Sequence, residues 1–103
     1  VRERDIERHL VQRVKALGGE VRKACWIGRR GAPDRLVMLP ARRLSPGLDC
    51  AWCNPRGMVI WVELKAPGEK PKAYQVREHG RMRAMGQRVE VIDSLEGVDA
   101  LLR

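Results

Sequence analysis

Two short charged signatures stand out in this 103-residue chain: Pro33-Asp34 and Glu63-Leu64-Lys65. The second closes the stretch VIWVELK (59–65), which reads as a strand. Strand side chains alternate with period two, so Glu63 and Lys65 share a side with Val59 and Trp61. A carboxylate and an ammonium at the end of an apolar strand are costly to desolvate unless they have a partner or a task. The structural alternative is a salt-bridged strand end running out into solvent, which is common. Asp34 stands at the start of another short apolar run, RLVML (35–39). If the two strands pair antiparallel, the start of one lies beside the exit of the other, and Asp34 meets Glu63 and Lys65. Two oxygen donors at one point, with an open flank for water and phosphate, suit Mg²⁺.

The elements that must position these groups can be read from periodicity. Residues 2–17 read as a helix, with Ile6, Leu10, Val14 and Leu17 at helical spacing and Val11 widening the stripe. Glu7 borders that stripe. Residues 20–27 alternate loosely as a strand, and GRRGAPD (28–34) is an arginine-loaded turn. After the strand at 35–39, residues 40–57 hold three prolines, two glycines and two cysteines, and read as a loop insertion before the strand at 58–65. A helix over 72–85 follows, with Ala73, Val76, Gly80 and Ala84 expected to sit against a sheet. The strand 88–93 and a last short helix capped by Ser94 complete the order α-β-β-β-α-β-α. Three strands before a helix and a fourth strand imply an α/β fold with a mixed central sheet flanked by helices.

The length suits one domain, 1–103. Without Phe and with a single Tyr, the core must draw on Val, Leu, Ile, Met and three Trp. A net charge of +8 favours polyanionic partners, nucleic acid first. No apolar run approaches the roughly 20 residues that span a bilayer, and no basic amphipathic helix points to a membrane surface. The charged start VRERDIERHL lacks the apolar core of a signal peptide. The expected setting is the cytoplasm, or the host cytoplasm for a phage protein. Three cysteines without a secretion signal argue against a disulfide framework.

Pro33-Asp34 followed by Glu63-x-Lys65 resembles the PD-(D/E)xK signature of metal-dependent nucleases. Nearly the whole chain, outside 40–57, resembles the VRR-NUC family. The resemblance runs from an early helix with an acidic residue, Glu7, through Gly31-x-Pro33-Asp34 and Glu63-Leu64-Lys65. It continues into a helix opening with Gln75 and the closing MGQRVEVIDSLEGV (85–98). It implies a restriction-endonuclease-like core and Mg²⁺- or Mn²⁺-dependent endonuclease cleavage of DNA. It also implies that small members form homodimers acting on branched DNA such as four-way Holliday junctions. On that resemblance the catalytic set is Glu7, Asp34, Glu63, Lys65 and Gln75. Asp34, Glu63, the Leu64 carbonyl and Glu7 would hold the metal. Lys65 would place its ammonium near the attacking water or the phosphorane charge, and Gln75 would orient the nucleophile or Lys65.

Arg29, Arg30, Arg35, Arg42, Arg43, Lys70 and Lys72 cluster in or beside the loops around this set, where they are expected to contact phosphates without reading sequence. Cys50-Ala-Trp-Cys53 supplies two of four zinc ligands, but neither Cys25, His9 nor His79 completes it at zinc-ribbon spacing, so no zinc site is expected. Trp52 would stack on a base or pack its loop. The competing reading is a basic nucleic-acid-binding module without chemistry.

Overall fold

The computed structural model describes residues 1–41 and 57–103. The expected insertion at 40–57 falls almost wholly outside the described residues, and with it Arg42, Arg43, Cys50, Trp52, Cys53 and Arg56.

The elements follow in the expected order: α1 (Glu3–Ala16), β1 (Glu20–Lys23), β2 (Arg35–Leu39), β3 (Met58–Leu64), α2 (Ala73–Ala84), β4 (Val89–Ile92) and α3 (Leu95–Leu101). The four strands form one sheet in the order β1-β2-β3-β4. β1–β2 and β2–β3 pair antiparallel, while β4 joins β3 in parallel after the α2 crossover. The fold is therefore α/β with a mixed sheet, as read from the sequence.

One face of the sheet carries the hydrophobic core. Ile6, Leu10 and Val14, one turn apart on α1, are fully buried against Val37, Leu39, Ile60, Val62 and Leu64. Val98, Leu101 and Leu102 of the last helix close this layer. Each of the fully buried aliphatic side chains contributes about 1.5–3 kcal/mol through loss of water contact. The Ser94 side chain caps α3, accepting the Gly97 N–H at 2.9 Å.

The opposite face is smaller and more polar. Val59, Trp61, Glu63 and Lys65 alternate towards it. α2 packs against β4 on this side, and Glu78, His79 and Met82 are its buried residues.

Three expectations change. Val11 is 39% exposed and lies outside the α1 stripe. The first strand stops at Lys23 rather than 27, because Trp26 leaves the sheet and packs on Trp61 with ring centroids 5.1 Å apart. The small residues of α2 face outward, with Val76 53% exposed and Ala73, Gly80 and Ala84 exposed. Its inward face is the polar one, since Glu78 finds cations in Arg29 and Arg81 and Glu63 receives His79.

Candidate functional site

The β2–β3 register sets the site. Arg35 pairs with Val62, and one step beyond that pair Asp34 falls opposite Glu63. The antiparallel meeting expected from the sequence is thus formed. The two groups differ in surroundings. Glu63 is 8% exposed, whereas the Asp34 side chain is 55% exposed. Burial, then the Asp34 charge, raises the Glu63 pKa to about 7, against the opposing pull of Lys65. β3 is hydrogen-bonded on both sides, to β2 and β4, which fixes the backbone that carries Glu63.

Lys65 lies just past the strand end, where its N–H donates to the Ile92 carbonyl at 2.9 Å. The residue is 7% exposed, and its Nζ is 3.8 Å from Glu69 Oε1. Lys65 thus sets a buried ammonium beside buried Glu63, at the end of β3 that faces the open Asp34.

Asp34 is set by the loop before it. Its carbonyl accepts the Ala24 N–H at 2.9 Å, and the Pro33 carbonyl accepts the Trp26 indole N–H at 2.8 Å. Gly31 brings the loop against the start of α2 at a φ of +88°. A Cβ there would lie 2.7 Å from the Tyr74 carbonyl oxygen, so only glycine permits this approach. Arg30 stacks over the Tyr74 ring, 3.8 Å from its centroid, and Arg29 Nε stands 3.3 Å from Glu78 Oε2.

Arg35 departs from the expectation of a solvent-facing phosphate contact. It is 9% exposed, because the alternation that turns Asp34 one way turns Arg35 towards α1. There its Nη2 donates to Glu7 Oε2 at 2.7 Å and its Nη1 pairs with Asp34 Oδ2 at 2.9 Å. Burial opposes its charge, but the Glu7 hydrogen bond and the two carboxylates outweigh that and raise its pKa. Glu7 therefore reaches the site through the Arg35 guanidinium. Among the described residues, no three His, Cys, Asp or Glu side chains form a group that could hold a metal ion. Two carboxylates do face each other across the strands, and a like-charged pair of this kind is relieved by a divalent cation.

Gln75 sits in the first turn of α2, with its Oε1 accepting the Lys72 N–H at 2.8 Å. Its amide nitrogen remains to donate. Lys72 is exposed at that helix start, and Lys70 stands in the same exposed turn.

His79, excluded above as a zinc ligand, stands one turn after Gln75 on α2 and is 1% exposed, with Nε2 3.8 Å from Glu63 Oε1. Among the described residues, that nitrogen has no hydrogen-bond partner. Burial and then the Arg83 charge lower its pKa, while a hydrogen bond with the Gly31 backbone works the other way. The i, i+4 spacing from Gln75 was the available signal. Glu78 gave none, since a helical Glu beside arginines reads as surface. Cys25 is a free, exposed cysteine, and His9 is bound to Asp99 at 2.7 Å, so neither reaches the site.

No protein-family model matches the chain. A protein of Acyrthosiphon pisum secondary endosymbiont phage 1, described as "Putative nuclease p44", is 48% identical over 94 residues, covering 91% of this chain and 85% of its own length. A solved structure described as "VRR_NUC domain" superposes with a TM-score of 0.75 at 39% identity, covering 97% of this chain and 92% of that one.

Proposed function

The chain belongs to the VRR-NUC nuclease family, and on that premise we propose that it is a Mg²⁺- or Mn²⁺-dependent endonuclease of DNA that prefers branched substrates such as four-way junctions. The observation that carries the proposal is the Asp34–Glu63 pair across β2 and β3, with Lys65 beside it. The donor set fits a hard cation. Mg²⁺ is commonly held by one or two carboxylates and keeps several waters, so two facing acids suffice. Asp34, Glu63 and the Leu64 carbonyl would hold the ion, while Glu7, expected from the sequence as a further ligand, would instead hold the Arg35 guanidinium beside Asp34. When bound, such an ion supplies positive charge to the phosphate and makes water a better nucleophile at neutral pH.

The protein's own groups do the rest. Lys65 offers a fixed ammonium to the negative charge that develops on the phosphoryl oxygens as water attacks. The Gln75 amide nitrogen donates to that water or to a phosphate oxygen. Arg30, Lys70 and Lys72 attract the flanking backbone, fixing register without reading bases. The open Asp34 side leaves room for the duplex, while Glu63 and Lys65 stay sheltered from bulk water.

A homodimer belongs to the same proposal, because paired sites about a two-fold axis suit symmetric branches. The exposed stripe of Ala73, Val76, Gly80 and Ala84 on α2 supports that reading as a contact face. The phage origin of the relative supports a host-cytoplasm setting. No helix among the described residues is long and apolar enough to cross a membrane.

A labelled four-way junction incubated with Mn²⁺ provides the test. The parent should cut it, and Asp34→Ala should cut at least about 100-fold more slowly, as expected when charge stabilisation at the phosphate is lost. It should still bind the junction in a salt-sensitive manner. Equal cleavage by Asp34→Ala refutes the site, and binding without any metal-dependent product points to the non-catalytic module.

A further inference from the structure

On the α2 side of the sheet, a cleft of about 340 Å³ opens beside the catalytic strand. Its walls are Trp26, Trp61, Met82 and Met85, and its polar groups include Arg29 and Glu78. None of these residues has a part in the hydrolysis described above. We infer that this cleft holds one unpaired nucleobase of the bound nucleic acid, stacked on the indoles and read by the Glu78 carboxylate; the inference rests on the nuclease reading and names what that site would grip.

Position comes first. Trp61 precedes Glu63 by two residues on the same side of β3, so the cleft and the carboxylate pair are about 7 Å apart along the strand, one strand repeat. A base swung out of a duplex beside the scissile phosphate falls within that reach. The walls come next. Trp26 remains 36% exposed and Met85 66% exposed, although both sit beside buried Met82. Both indoles are fixed by their N–H groups, Trp26 to the Pro33 carbonyl at 2.8 Å and Trp61 to Gln87 Oε1 at 3.1 Å. The rings are tilted 52° to each other. They form a corner rather than a closed stack, and a base is accepted against one indole face. Aromatic surfaces of this kind bind bases without needing their sequence.

Glu78 gives the cleft a chemical preference. Its side chain is only 7% exposed, and its ion pairs are loose, 3.3 Å to Arg29 and 3.9 Å to Arg81. A carboxylate accepts hydrogen bonds and cannot donate them when ionised. It therefore suits the exocyclic amino groups of adenine, cytosine and guanine, and meets in thymine only an N3–H flanked by two carbonyls that repel it. Arg29 and Arg30, at the rim and on the adjoining loop, supply positive charge for the neighbouring phosphates.

The probe is a DNA duplex carrying one bulged 2-aminopurine, compared with the same duplex in which 2-aminopurine is paired, both in chelator. The parent should quench the bulged probe several-fold and leave the paired one bright. Trp26→Leu should weaken binding of the bulged duplex about tenfold, the scale of one lost base stack, and leave paired duplex within about twofold. Trp52→Phe should keep the quenching. Bulged thymine should bind about tenfold more weakly than bulged cytosine, and Glu78→Gln should narrow that gap. An unquenched bulge with the parent overturns the inference, and this readout does not depend on how any variant folds. Cleavage of the same bulged duplex in Mn²⁺ is scored in parallel. Cleavage without quenching removes the base cleft alone; quenching without cleavage removes the nuclease reading and leaves the cleft.

Discussion

At the scale of single residues, the site is a balance between three carboxylates and two buried cations. Glu63 illustrates it. Its folded pKa of about 7 exceeds the ordinary 4.5, so its contribution to stability is fully present below pH 4.5 and is lost as pH rises through 7. At pH 8 the buried anion costs on the order of 1–3 kcal/mol. Glu63→Gln should therefore melt several degrees above the parent at pH 8 without metal, yet cleave no DNA. At pH 4.5 the two should melt alike. Adding Mn²⁺ at pH 8 should raise the melting temperature of the parent and leave Glu63→Gln unmoved. Calorimetric scans across pH check all three, and a variant that melts lower at pH 8 contradicts the burial argument. Arg35 plays the complementary part, its guanidinium tying Glu7 to Asp34 across a gap that neither acid closes.

At the scale of elements, the β2–β3 hairpin and the loop at 24–34 aim the acids, and α2 braces both. Gly31→Ala tests the brace. Its positive φ and the Tyr74 carbonyl leave no room for a methyl group, so the variant should lose about 1–3 kcal/mol in denaturant titration. Its cleavage rate should fall with it, because the displaced loop carries Asp34. Unchanged stability would mean that the loop does not rest on α2 as described. Much of this level was readable from sequence. Among the described residues, period-two and period-3.6 patterns located the helices and strands, but on α2 the stripe they marked as buried faces outward. Asp34 and Glu63 were placed together by strand alternation and the assumption of antiparallel pairing. What escaped reading was burial that depends on a distant partner. Trp26 leaves its strand for Trp61, 35 residues on. Glu78 and His79 go inside because Arg29 and Glu63 meet them there. Arg35 looked like a phosphate contact until Glu7, 28 residues away, claimed it.

At the scale of the whole molecule, one sheet divides an oily side from a charged one. α1 and α3 seal the first, and α2 only partly covers the second, leaving acids, indoles and arginines at its margin. The outward stripe of α2 belongs to this scale. If the proposed homodimer forms through it, Val76→Arg should give a monomer in light scattering while preserving the far-UV spectrum; a parent that is itself monomeric refutes the dimer, and a variant that stays dimeric moves the contact elsewhere. The hairpin has one more property. Asp34 and Glu63 occupy its open end, whereas chain leaves and re-enters at the far end, where Leu39 pairs with Met58. That pair and the carboxylates therefore stand at opposite ends of the paired strands, about 17 Å apart at one strand rise per residue. A dye attached beside Leu39 or Met58 would report on the protein from a strand's length away and leave Asp34 and Glu63 untouched.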